Sequence, residues 1–232
     1  MKTMKSLLSI SLILALSLPA FAQSSISKDL YIDAGEKSDR KVHSVSGDVV
    51  IGKRARIQES VSTVSGDIEI GAKAEVGPVE TVSGDIDLAK GAEAASVESV
   101  SGDIHLYGSN RIHGKLKTVS GDITAESGSK IDGLIITVSG DIELDDSRVQ
   151  DNLQTVSGDI DLYNGSVVNG DIIINRKRSG NFPMGRLEVV IDLNSVVRGS
   201  IRVLEEDTNV KVHLSNGGKV EGQIINAEVI EH

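Results

Sequence analysis

Seven aspartates stand at near-equal intervals in this chain: Asp48, Asp67, Asp85, Asp103, Asp122, Asp141 and Asp159, each closing a copy of Val-Ser-Gly-Asp. Hard divalent cations prefer several carboxylate and carbonyl oxygens. A stacked ladder of Asp67, Asp85, Asp103, Asp122, Asp141 and Asp159 is therefore a candidate calcium site. A partial acidic row, Glu69, Asp87, Glu143 and Asp161, accompanies it. Like charges at the strand spacing repel by about 1 kcal/mol per neighbouring pair in water, so something must offset the column. The structural alternative is that each aspartate hydrogen-bonds its own turn. The phrase is not the nine-residue calcium roll, because its period is twice as long and the double glycine is missing.

A second candidate is Arg176, Lys177, Arg178, Phe182 and Arg186, where positive charge, an aromatic ring and irregular spacing meet. Loops raised from a rigid scaffold are natural contact elements, here for an anionic glycan, lipid headgroups or another envelope component. His105 and His113 fall in different columns and make no pair with ligand spacing. No nucleophile elbow, phosphate loop, His-Glu-x-x-His or cysteine motif occurs. The expectation is therefore no enzyme, and no cofactor beyond the calcium already considered. A polysaccharide-acting enzyme is disfavoured because Tyr31, Tyr107, Tyr163 and Phe182 are the only aromatics after residue 22.

The elements that must position these residues follow from the repeat. Copies start at Val45, Val64, Val82, Val100, Val119, Val138 and Val156, steps of 18 or 19 residues. That is too short for an independent module, so each copy is one layer of a stack. Aligned on the first valine, every copy carries five apolar columns, as in Val64, Ile68, Ile70, Val76 and Val79. All 35 positions are apolar in a chain that is 39% apolar, which makes the register a real one. Ile68 and Ile70 flank Glu69 with period two, and β-branched residues dominate. Three short strands per copy, with corners near Ser65-Gly66-Asp67, Gly71-Ala72-Lys73 and Gly77-Pro78, predict an all-β, single-stranded parallel β-solenoid (β-helix). It has about ten coils of 18–19 residues, a roughly triangular section and a length of about 45 Å.

On this alignment the first valine points inward. Two hydroxyl rows flank it outward, Ser44, Thr63, Thr81, Ser99, Thr118, Thr137 and Thr155, and Ser46, Ser65, Ser83, Ser101, Ser120, Ser139 and Ser157. Such rows stabilise cross-strand neighbours, and they could also meet a repeating ligand such as a polysaccharide or ice. The glycine is expected to turn the corner with a positive φ. A partial coil begins near residue 29, and half-coil phrases such as Ser195-Val196-Val197-Arg198-Gly199 extend the stack to about residue 226. There Val-Ser-Gly-Asp gives way to residues 176–186 and 205–209, which should protrude.

Residues 1–22 read as a Sec-type secretory signal peptide. Lys2 and Lys5 precede an apolar run from Leu7 to Leu18, and Ala20-Phe21-Ala22 makes a small-x-small cleavage site. The run falls short of the roughly 20 residues that a spanning helix needs, so no transmembrane segment is expected in the mature chain. The division is thus a signal peptide over 1–22, regular repeats over 23–175 and degenerate coils with longer loops over 176–232. Without Lys2 and Lys5, 22 basic residues face 34 acidic ones, which excludes nucleic acid as a partner. The chain has no cysteine, so burial and backbone pairing must hold the fold.

The phrases Thr63 to Ile68, Thr81 to Ile86 and Thr155 to Ile160, all Thr-Val-Ser-Gly-Asp-Ile, resemble a bacterial family of β-solenoids labelled as adhesins. Gly-Ser-Val-Val-Asn-Gly-Asp-Ile at 165–172 also resembles bactofilins, polymer-forming solenoids of the bacterial cytoskeleton. The first resemblance implies a periplasmic or secreted binding protein of the cell envelope, and the second implies self-association. Neither brings catalytic residues with it.

Overall fold

The computed structural model describes residues 23–176, 185–206 and 209–232, and those residues form an all-β parallel solenoid without a helix. The signal-peptide reading lies outside the described residues. Each coil contributes three strands. The first face, with Ile68–Ile70 as its example, stacks eleven parallel strands from Leu30–Ile32 to Glu228–Glu231. The second and third faces, exemplified by Arg56–Ile57 and Val61–Ser65, are joined in one 19-stranded sheet. Glu75–Ser83 and Glu93–Glu98 each run through both, because three residues separate their core positions where other coils use four. The corner at Gly77-Pro78 is flattened as a result. Pairing begins earlier than expected, with Gln23–Ser25 against Val42–Ser44, and continues in register through the degenerate coils.

Four of the five apolar columns form the core: Ile68, Ile70, Val76 and Val79 are buried, as are their counterparts in all seven copies. The fifth column turns the other way. Val64 and the other first valines are half-buried on the outside, whereas Thr63, Thr81, Ser99, Thr118, Thr137 and Thr155 point inward and are at most 3% exposed. The reason is the two-residue period of a strand. Val61 is inward, so Thr63 is inward and Val64 is not. The expected pair of outward hydroxyl rows is thus a single row of exposed serines beside a half-buried valine stripe.

The corner between the first and second faces carries the left-handed residues. Arg54, Lys73, Gly91, Ser109 and Gly128 lie there with φ between 55° and 81°. Behind them runs a buried column of small residues that changes from Ala55, Ala74 and Ala92 to Asn110, Ser129, Ser147, Ser166 and Ser195. Asn110, Ser147 and Ser166 of this column bond the corner carbonyls. The Asn110 amide donates to Ala89 O at 2.9 Å, and the Ser166 hydroxyl to Leu144 O at 2.9 Å. They add a donor to carbonyls such as Ala89 O, which also accepts the Ala92 N–H at 3.0 Å.

Candidate functional site

At the Val-Ser-Gly-Asp corner both glycine and aspartate act on the neighbouring coil. Of the seven glycines only Gly84 and Gly102 have the expected positive φ, at 153° and 155°, so backbone conformation does not explain the other five. Their identity is required by stacking instead. A Cβ placed on Gly84, Gly102, Gly121, Gly140 or Gly158 would fall well inside 3.0 Å of the carbonyl oxygen of the glycine one coil below. The aspartates form an axial relay. Oδ1 of Asp67 accepts the backbone N–H of Asp85 at 2.9 Å, Asp85 accepts that of Asp103 at 2.8 Å, and Asp103 that of Asp122 at 2.8 Å. The relay continues through Asp141 and Asp159, whose Oδ1 accepts the N–H of Glu188 at 2.7 Å. Each carboxylate therefore bonds the next coil rather than its own turn. A charged acceptor on an amide donor is what offsets the like-charge repulsion. The inward threonines complete the corner, with the Thr63 hydroxyl on Gly47 O at 3.2 Å and the Thr118 hydroxyl on Gly102 O at 3.3 Å.

A shorter relay runs at the second-to-third corner. Asn152 Oδ1 accepts Asp171 N–H at 2.7 Å, and Asp171 Oδ1 accepts Ser200 N–H at 2.8 Å. An amide can thus replace the carboxylate, which identifies the shared requirement as an acceptor oxygen and not a charge. Among the described residues no group of three or more His, Cys, Asp or Glu side chains is arranged to hold a metal ion. The partial acidic row does align: Glu69 pairs with Asp87, and Glu143 with Asp161. Burial, with Asp159, Glu143, Asp141 and Glu188 nearby, raises the Asp161 carboxyl to about 6.

The relay ends where the chain leaves the rod. Asn175 N–H still bonds Thr155 O at 2.8 Å and Leu204 N–H bonds Ile174 O at 3.0 Å, so both segments depart from the position that the first valine holds elsewhere. The chain rejoins the first face at Leu187–Ile191 and Val210–Leu214, which pair directly with each other. The described ends of the two insertions therefore lie at the same corner of successive coils. At the edge of the first, Arg186 Nε lies 2.7 Å from Glu188 Oε1 and His213 Nε2 lies 3.6 Å from the same oxygen. Arg176 is buried at the base, 9% exposed, and its Nε has no hydrogen-bond partner among the described residues. Arg186 is exposed, and Lys177, Arg178 and Phe182 lie outside the described residues. The structure thus places Arg176 and Arg186 at the two feet of one insertion.

Sequence reasoning missed the buried hydroxyl and amide columns, the Asn152–Asp171–Ser200 relay and a groove beside the flattened corner. That groove, about 500 Å³, is lined by Arg56, Gln58, Glu75, Gly77, Glu93 and His113, with His113 Nε2 3.2 Å from Glu93 Oε2. The signal that could have found it is the three-residue spacing from Val76 to Val79 and from Ala94 to Val97.

Residues 78–184 match the family model described as Toastrack DUF4097, a stretch just under half of the chain that reaches from the flattened corner into the first insertion. The match is to a β-solenoid family and agrees with the parallel stack; it supplies neither an adhesin role nor a likeness to bactofilins. No curated protein and no solved structure matches the chain. Among the described residues no helix is long and apolar enough to cross a membrane.

Proposed function

We propose that this chain is an exported, non-enzymatic binding protein of the cell envelope, periplasmic or secreted. In this reading it is adhesin-like, and contacts a glycan or another envelope component through the paired insertions at residues 175–188 and 204–209. The observation that carries this reading is their placement. Seven consecutive corners are closed by the same tight phrase, and then two successive corners open into longer segments on one side of a rigid rod. A rigid rod that raises adjacent loops is the usual architecture of a contact surface. The first insertion carries Arg176, Lys177, Arg178 and Arg186 in a chain of net charge −10, so it concentrates positive charge suited to an anionic partner. The signal-peptide pattern of residues 1–22 supports export.

The test is a pull-down from cell-envelope extract with the purified chain and a variant in which residues 175–188 are replaced by Val-Ser-Gly-Asp. Loss of a partner with unchanged melting supports the reading. Equal recovery of every partner by both proteins removes it.

A further inference from the structure

A cleft of about 260 Å³ lies on the first face where its strands turn toward the second, and it is separate from the insertions. Its position follows from one corner column. Ala89 N–H bonds Ile70 O at 2.9 Å and Tyr107 N–H bonds Leu88 O at 3.0 Å, which sets Tyr107 one coil above Ala89 and Gly71 one coil below it. Gly71 and Ala89 are too small to fill the corner, so the Tyr107 ring, 45% exposed, overhangs an open floor. Val50 closes one side, and Glu69 and Asp87 stand along the wall as direct strand partners. Asp87 Oδ1 lies 3.3 Å from His105 Nδ1, and the Asp87 side chain is 38% exposed, so its carboxylate lends negative charge to the cleft wall. The charge of Asp87 is also felt at Tyr107, whose phenol it holds above the usual range.

These walls discriminate among ligands. Two carboxylates and no Lys or Arg repel anions. The lining is mostly carbon, which gives a sugar too few hydrogen-bonding groups. Two carboxylates are also too few oxygens for a bare hard cation. An aromatic face, an aliphatic floor and a negative wall together suit a positive charge that carries its own carbon. We propose that this cleft binds a small organic cation of the alkylammonium type. Its methyl or methylene groups rest on Tyr107 and Ala89, and its charge lies against Asp87 and Glu69.

The probe is choline, titrated calorimetrically into the purified chain, with its neutral isostere 3,3-dimethylbutan-1-ol alongside. Saturable choline binding is expected, weakened about 3- to 30-fold by Tyr107→Leu and by Asp87→Asn, the range of a cation on an aromatic face. Tyr107→Phe keeps the ring and should retain the affinity, which separates lost recognition from lost folding. Absence of choline binding overturns the proposal. So does equal binding of the neutral isostere, or an affinity unchanged in Tyr107→Leu.

Discussion

A corner built from Thr-Val-Ser-Gly-Asp divides its work among side chains that reach across coils, and substitutions should report that division. Gly121→Ala drives a methyl against Gly102 O and should cost about 2 kcal/mol or more. Asp103→Ala leaves the Asp122 N–H unpaired and should cost about 1 to 2 kcal/mol in denaturant melts. Asp103→Asn should stay within about 0.5 kcal/mol of the parent, because Asn152 already serves Asp171 in the same way. Asp161 predicts a pH dependence. Its folded-state value of about 6 exceeds the ordinary 3.8, so between those values the folded chain holds a proton that the unfolded chain has released. Its contribution to stability therefore falls as pH rises through that window, and above it the ionised side chain is a net cost. Asp161→Asn should raise stability near neutral pH by roughly 1 kcal/mol, less than the full shift implies because the group is half in water. Melting at about pH 5 and about pH 8 checks this, since the difference between the two should shrink in the variant.

The strands and corners show how far a repeat can be read without coordinates. Core columns such as Ile68, Ile70, Val76 and Val79 were legible because burial demands aliphatic side chains at fixed spacing. The orientation of the first valine is hidden by its recurrence, which resembles that of a core column, while the strand period places it on the face opposite Val61. Thr63 was unreadable as a core residue because its hydroxyl looks polar, while its bond to Gly47 O is made across a coil boundary. The glycine was recognisable as obligatory but for the wrong cause, since close approach between coils leaves no trace in local spacing. The insertions are legible where the phrase stops, whereas the shared corner of their described ends follows only from the pairing of Leu187–Ile191 with Val210–Leu214. Since the ladders close on either side of the first insertion, replacing residues 175–188 by Val-Ser-Gly-Asp should shift Tm by no more than about 4 °C, close to the effect of 1 kcal/mol in a domain of this size.

Over the whole molecule, one aliphatic column turns polar at each end of the described stack, while Leu30, Ile32 and Val42 at one end and Val220, Ile224 and Val229 at the other stay apolar. Ser38 takes the place of Ile57, and Glu231 follows Leu214. Asn226, next to Ile225, donates to Val203 O at 3.0 Å. Head-to-tail stacking of two copies would bury the Glu231 carboxylate in an apolar column, a cost that disfavours that contact. Light scattering should therefore give a monomer at all working concentrations, and Glu231→Leu should introduce concentration-dependent association. The rod is held by burial and by the aspartate relay. The most direct measurement is thermal melting of the purified chain in excess chelator and again with millimolar calcium. A relay satisfied by backbone amides predicts the same Tm in both. A rise of several degrees with calcium, the linkage signature of an ion bound only by the folded state, would contradict it.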